Sequence, residues 1–71
     1  MTTERMLTMA NQIADFFRSF PHEEAVAGVA QHVRQFWDPR MRRKLLEHLD
    51  AGGEGFDPLV REAAARLRQP A

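Results

Sequence analysis

The sequence predicts an all-α fold, a small four-helix domain whose short connections are punctuated by Pro and Gly. Apolar residues recur at helical spacing in four segments, and none of these segments shows the β-branched alternation of a strand. Four of the eight prolines and glycines fall between the segments, and two more prolines begin a segment. Because 71 residues suffice for one domain and no more, we expect a single helical domain over residues 1–71.

The first helix is predicted over about residues 4–20. Thr2 or Thr3 can cap its start, since a hydroxyl oxygen accepts a hydrogen bond from a free backbone N–H. Its end is set by Pro21, because the residue before a proline is pushed away from the α region. The apolar stripe comprises Met6, Met9, Ala10, Ile13, Phe16, Phe17 and Phe20.

The second helix is predicted over about 22–37, with Pro21 suited to its first position because a missing N–H costs nothing there. Gly28 lies inside this helix and costs about 1 kcal/mol relative to Ala. Either another backbone approaches closely there or the glycine is tolerated, and the sequence leaves both readings open. The apolar stripe comprises Val26, Val29, Ala30, Val33, Phe36 and Trp37.

Two Asp-Pro pairs predict the last two helices, over about 39–51 and 58–68. In Asp38-Pro39 and Asp57-Pro58, the acid can cap the helix and the proline can take its first position. Gly52 and Gly53 predict the end of the third helix. The final three residues, 69–71, are expected to fray. The apolar residues of these helices are Met41, Leu45, Leu46 and Leu49, then Leu59, Val60, Ala63, Ala64 and Leu67.

The residue inventory argues against catalysis. With zero Cys, the chain has no disulfides, thiolate metal sites or thiol nucleophiles. Ser19 is the only serine, and no His stands at a suggestive spacing from it; the three histidines are far apart. The glycines at 52–55 lack the Lys-Ser/Thr and the preceding strand of a phosphate loop. We therefore expect no enzyme activity, no metal and no bound cofactor in this chain.

The net charge and the hydropathy pattern limit the classes of partner that the chain can have. Ten Lys and Arg balance ten Asp and Glu, whereas a general nucleic-acid or anionic-membrane binder normally has a basic excess. No apolar run approaches the ~18–20 residues that span a bilayer. The segment 1–5 leads into alternating polar and apolar residues, unlike the apolar core of a signal peptide. We expect no nucleic acid, no membrane and a cytoplasmic location.

The most informative stretch is residues 36–44, where an aromatic pair precedes a helix start that carries four cations within five residues. The helix dipole disfavours cations at this end, so the arginines suggest an anionic counterpart. That counterpart is Asp38, Glu47 or Asp50 within the chain, or a group on another molecule. Trp, Arg and Met are enriched at interfaces. We predict a partner-binding element made of Phe36, Trp37, Asp38, Arg40, Met41 and Arg42.

Two other readings of this stretch stay open. In one, Trp37 fills the core between the second and third helices while the arginines are solvated. In the other, the basic residues next to an aromatic bind nucleic acid, although acids elsewhere compensate the charge.

The chain also has many large rings for its length, which favours a subunit or adaptor with an exposed apolar patch. These rings are Phe16, Phe17, Phe20, Phe36, Trp37 and Phe56.

With those residues in view, the chain resembles the small delta subunit of soluble NAD-dependent, molybdenum-containing formate dehydrogenases. The resemblance covers nearly the whole chain, from about Leu7 to Leu67, and its most specific part is Phe-Trp-Asp-Pro-Arg-Met. It is carried by residues 9–14 with Phe16-Phe17, residues 25–33 with His32, residues 36–42, residues 55–60, and Glu62-Ala63.

The resemblance implies a non-catalytic accessory subunit of a cytoplasmic multisubunit enzyme. In that family the large alpha subunit holds a bis-molybdopterin guanine dinucleotide cofactor and iron–sulfur clusters, and electrons pass to a part that carries FMN and NAD. We expect Trp37 and Phe36 to anchor in a groove of the large subunit with Met41 around them. Arg40 and Arg42 would pair with carboxylates there.

Two alternative functions remain at this point. The cations could contact phosphates of the molybdenum cofactor or of a guanine nucleotide during maturation, which would make the chain a cofactor-handling factor. The chain could instead be a self-associating helical interaction module, with weak self-association when it is isolated.

Overall fold

A computed structural model describes residues 2–68, which form four α-helices and no strand. The helices are α1 (Thr3–Phe17), α2 (His22–Phe36), α3 (Pro39–Asp50) and α4 (Pro58–Arg68). This confirms the predicted all-α fold. None of these helices is both long and apolar enough to cross a membrane. The fraying predicted for 69–71 lies outside the described residues.

Both Asp-Pro helix starts form as predicted. An Asp38 carboxylate oxygen accepts a hydrogen bond from the Met41 backbone N–H at 2.9 Å. Asp57 Oδ1 accepts from the Leu59 backbone N–H at 3.0 Å. Each cap satisfies one of the N–H groups that a helix start leaves without a partner, so the bounds of α3 and α4 are set locally.

The chain between α1 and α2 departs from the prediction. α1 ends at Phe17, three residues before the predicted end, because the chain tightens into a turn in which the Phe20 N–H donates to the Phe17 carbonyl at 3.0 Å. Pro21 stands one residue before α2, at its N-cap, and its carbonyl accepts from the Ala25 N–H at 2.8 Å. Thr2 caps α1 as expected. Phe20 therefore lies beyond the helix whose stripe it was expected to extend.

The end of α3 is a Schellman motif. The Gly53 N–H donates to the His48 carbonyl at 2.8 Å, and the Gly52 N–H donates to the Leu49 carbonyl at 3.1 Å. Gly52 and Gly53 have φ angles of 117° and 64°, which L side chains rarely adopt. The glycine stop predicted from sequence is confirmed, and it turns the chain towards α4.

A single hydrophobic cluster lies where the four helices meet. α2 packs most extensively on α4, and it also packs on α1, while α3 packs on α4. Small side chains dominate the crossings, which lets the helix backbones approach closely. The buried residues are Met6, Ala10, Ala14, Ala25, Val26, Val29, Ala30, Val33, Trp37, Leu45, Phe56, Leu59, Val60, Ala63 and Ala64.

Asn11 joins α1 to the loop before α4, a role that the sequence analysis did not find. Its side-chain Nδ2 donates to the Gly55 carbonyl at 3.0 Å, and its Oδ1 accepts from the Asp57 backbone N–H at 3.0 Å. One amide thus satisfies a carbonyl and an N–H in a segment without regular secondary structure. This contact fixes the loop against α1.

A charged network reinforces the same junction. Arg18 contacts Asp15 Oδ1 at 2.5 Å and Asp57 Oδ2 at 2.6 Å. Partial burial raises the pKa of Asp57, but the hydrogen bonds from Arg18 and from the Leu59 N–H, with the Arg18 charge, outweigh burial and hold that pKa below its usual value. Asp57 is therefore a carboxylate that stabilises the fold in its ionised form.

Candidate partner-binding surface

The predicted element lies at the junction of α2 and α3. Trp37 ends α2, with its N–H donating to the Val33 carbonyl at 3.0 Å, and both Trp37 and Asp38 are extended, with ψ angles of 136° and 168°. Two extended residues between two helices turn the chain sharply. Phe36, on the last turn of α2, and Arg40, on the first turn of α3, therefore lie on either side of this turn.

Trp37 belongs to the core. Its side chain is only 5% exposed and is part of the buried cluster, which is the alternative that the sequence analysis left open. The expectation that Trp37 inserts into a groove of another subunit does not fit this placement, because the ring already packs inside its own domain. Only the edge of the Trp37 ring that lines a surface groove is open to a contact with another molecule.

Phe36 has the opposite environment. It is 68% exposed, and its ring packs against His32 at an interplanar angle of 41°, with the two ring centroids 4.8 Å apart. Exposing so large an apolar ring to water is unfavourable by roughly 1.5–3 kcal/mol relative to full burial. Phe36 therefore offers a partner the aromatic contact that Trp37 does not.

The basic start of α3 has no anionic partner within residues 2–68. Ion pairs there involve Arg18, His22, Arg66 and Arg68, and none involves the cations of residues 40–44. Of the three acids considered as counterparts, Asp50 pairs with Arg68 and Asp38 caps α3.

The individual α3 residues differ in exposure. Arg40 and Arg43 are exposed, whereas Met41, Arg42 and Lys44 are half-buried. The Arg42 Nη1 lies 3.5 Å from a backbone carbonyl of α2, at the limit of a hydrogen bond. Arg40 is the second residue of α3, where the partial positive charge of the helix start repels it. Its guanidinium is thus exposed, unpaired within the described chain and electrostatically disfavoured.

An apolar groove runs between α1 and α2, with a volume of about 510 Å³. The predicted stripe of the first helix includes Phe16 and Phe20, which are also among the large rings that favour an exposed apolar patch. Phe16 is 69% exposed, and Phe20, which packs against Phe16 and Phe17, is 45% exposed. The buried line of α1 is Met6, Ala10 and Ala14, whose spacing of four residues was the available signal. The groove is lined by Met9, Gln12, Ile13, Phe16, Phe17, His32 and Trp37.

Gly28 shapes one end of this groove. A Cβ atom at this position would lie 2.5 Å from Cε1 of Phe17, far inside van der Waals contact. Neither reading of Gly28 from sequence named this neighbour, which is a side chain and not another backbone. The absence of a side chain at Gly28 lets the Phe17 ring, which lines the groove, approach α2 closely.

Residues 2–68 contain no group of three or more His, Cys, Asp or Glu side chains that could hold a metal ion. His22 pairs with Glu62 at 2.6 Å, and His48 contacts the Glu54 carbonyl at 2.7 Å. With His32 against Phe36, each histidine has a local contact, and the three lie apart from one another. Phe36 stays largely exposed despite this contact, and within residues 2–68 the cations of α3, like Arg5, Arg34 and Arg61, make no ion pair.

The fold and surface define a small all-helical protein with an exposed aromatic surface beside a basic helix start. A family model described as NADH-dependent formate dehydrogenase delta subunit FdsD matches residues 5–64. The chain therefore belongs to this family of delta subunits. Comparisons with curated proteins and with solved structures found no match. The match includes α1, α2, α3 and the first part of α4, so it covers the groove and the basic helix start.

Proposed function

We propose that this chain is a non-catalytic accessory subunit that binds the large catalytic subunit of a cytoplasmic NADH-dependent formate dehydrogenase and stabilises it or helps to assemble it. Membership of the delta-subunit family supports the complex. The observation that carries the docking surface is the run of cations at the start of α3, which has no ion pair within residues 2–68.

The proposed contact combines charge with apolar burial. Phe36 would be covered by the partner, while Arg40 and Arg42 would pair with its carboxylates, for which a planar guanidinium is suited. Asp38 would hold the start of α3 rigid and so lower the ordering cost of docking. Met41 and the edge of Trp37 would complete the apolar part of the contact.

The non-catalytic role is supported by what the chain lacks in sequence. It has no cysteine and only one serine. Formate oxidation needs redox cofactors, because amino-acid side chains alone do not supply that chemistry. The molybdenum cofactor, iron–sulfur clusters, FMN and NAD would therefore reside in other subunits. In this proposal, loss of the chain lowers the amount of assembled enzyme and leaves the turnover of each molybdenum-loaded enzyme unchanged.

Contact with cofactor phosphates is a second candidate for the same cations. A shallow depression of about 410 Å³ is lined by Arg34, Arg42 and Arg43, but also by Glu47 and Asp50. Two carboxylates repel a polyphosphate. A depression lined by both cations and carboxylates therefore fits a protein surface, which carries both charges, better than it fits a polyphosphate. Titration of the isolated chain with guanosine triphosphate distinguishes the docking role from the cofactor-handling role. Saturable binding that the Arg42→Glu variant no longer shows would favour the cofactor-handling role.

Co-purification from the native host tests the docking proposal. The tagged chain should recover the large formate dehydrogenase subunit, and the Arg40→Glu, Arg42→Glu double variant should recover at least about tenfold less, since disrupting an interfacial charge pair costs ~2–5 kcal/mol. Arg66→Glu is the control, because it makes one exchange of the same kind in a cation already paired with Glu23. Equal recovery by the unsubstituted chain and by both variants would refute docking through α3.

A further inference from the structure

The groove between α1 and α2 has features of a specific binding site. Its lining contains no Asp, Glu, Lys or Arg, so the groove is apolar along its length. Two polar side chains, Gln12 and His32, line it and make no hydrogen bond within residues 2–68. An apolar groove with a few free polar groups is typical of sites that orient a bound molecule.

The dimensions of the groove suit a short helix. The lining on α1 runs from Met9 to Phe17, a rise of about 12 Å or a little over two helical turns at ~1.5 Å per residue. The described residues form no strand, so a partner finds no sheet edge to extend there. Two packed helices instead present a groove that accepts the apolar face of a third helix.

The charge around the groove is asymmetric. At one end Trp37 is followed three residues later by Arg40, whose Cα lies within about 11 Å of the lining because of chain length alone. Arg40 has no ion pair within residues 2–68. At the other end, beyond Phe17, Arg18 is already paired with Asp15 and Asp57. The cation that follows Trp37 is therefore unpaired, whereas the cation beyond Phe17 is paired; Arg5 and Arg34, each within four residues of a lining residue, also have no ion pair within residues 2–68.

We infer that this groove binds an amphipathic helix of the partner subunit, about two turns long, with apolar residues at helical spacing and an Asp or Glu at the end next to Arg40. The inference rests on the proposed function, because it names the kind of segment through which the partner is bound. The apolar face would cover Phe16 and Ile13, and the carboxylate would pair with Arg40 and fix the direction of the helix.

Site-specific photo-crosslinking in the assembled complex tests the inference. Gln12, an exposed residue in the groove, is replaced by p-benzoylphenylalanine in the full chain, and the adducts are sequenced by mass spectrometry. The matched control carries the same residue at Ala65, which is exposed on α4 and does not line the groove. We expect adducts from position 12 in one peptide with apolar residues at i, i+3 or i+4, and i+7 and an acid at one end, at least tenfold above the control.

A charge swap provides the second arm. Arg40→Glu should weaken association at least tenfold, and replacing the acid of the mapped segment with Lys should restore association with that variant only. Adducts with a second copy of this chain, adducts with a peptide that lacks the pattern, adduct levels equal to the control, or failure of the swap would overturn the inference. If the chain still co-purifies with the large subunit in those cases, the proposed function stands; if it recovers no formate dehydrogenase subunit, both fall.

Discussion

Replacing Trp37 with Ala should strongly destabilise the isolated chain, because the ring is 5% exposed and belongs to the only apolar cluster among residues 2–68. Truncating a buried Trp to Ala costs about 3–5 kcal/mol. At ~0.05–0.15 kcal/mol per residue, the whole domain has about 4–11 kcal/mol of unfolding free energy. The substitution therefore removes between about a quarter and all of the stability.

Urea unfolding followed by circular dichroism at 222 nm measures this loss, and the melting temperature should fall by at least about 12 °C. Phe36→Ala is the matched control, because Phe36 is the neighbouring aromatic residue and is 68% exposed. Its cost should stay below about 1 kcal/mol. A loss below about 1.5 kcal/mol for Trp37→Ala, or equal losses for the two variants, would refute the core position of Trp37.

Two further predictions concern the junction between α1 and α4. Asn11→Ala should cost about 1–3 kcal/mol in urea unfolding, since it leaves the Gly55 carbonyl and the Asp57 N–H without their partner, whereas Gln12→Ala should cost almost nothing. The pKa of Asp57 is lower in the folded state than the ordinary Asp value of 3.8, so ionised Asp57 stabilises the fold at pH values above 3.8. This stabilisation is lost as the pH falls through the lower folded-state pKa. Arg18→Met should therefore lose less stability below about pH 4 than the wild type, measured as melting temperature against pH.

Either result at the junction can contradict the structure. Equal costs for Asn11→Ala and Gln12→Ala would mean that the Asn11 amide does not hold the loop. If Arg18→Met and the wild type lose stability in parallel below pH 4, the Arg18 contact does not set the titration of Asp57.

The helix starts and the glycine stop could be predicted because they depend on neighbours in sequence. Asp38 and Asp57 each act within three residues, and the two consecutive glycines after α3 adopt backbone angles that few other residues tolerate. The end of α1 was placed about one turn too late because Pro21 limits where a helix must stop but does not prevent an earlier stop.

The groove could not be predicted because the side of α1 that packs inward coincides only in part with the predicted stripe. Ala14 lies outside that stripe and is buried, whereas Phe16 belongs to it and is largely exposed. That choice is made by α2, where Gly28 accepts the Phe17 ring, a contact between residues distant in sequence. The Asn11 contacts reach 44 and 46 residues along the chain, which no local pattern encodes.

The most direct test of the proposed role is to measure stability and association on the same variant, Arg40→Glu. An acid at the second position of α3 favours the helix dipole, so the isolated chain should be as stable as the wild type or more stable by about 0.3–1 kcal/mol. Association with the large formate dehydrogenase subunit should nevertheless fall at least tenfold. Unchanged association in a stable variant would contradict the claim that Arg40 pairs with a carboxylate on another subunit.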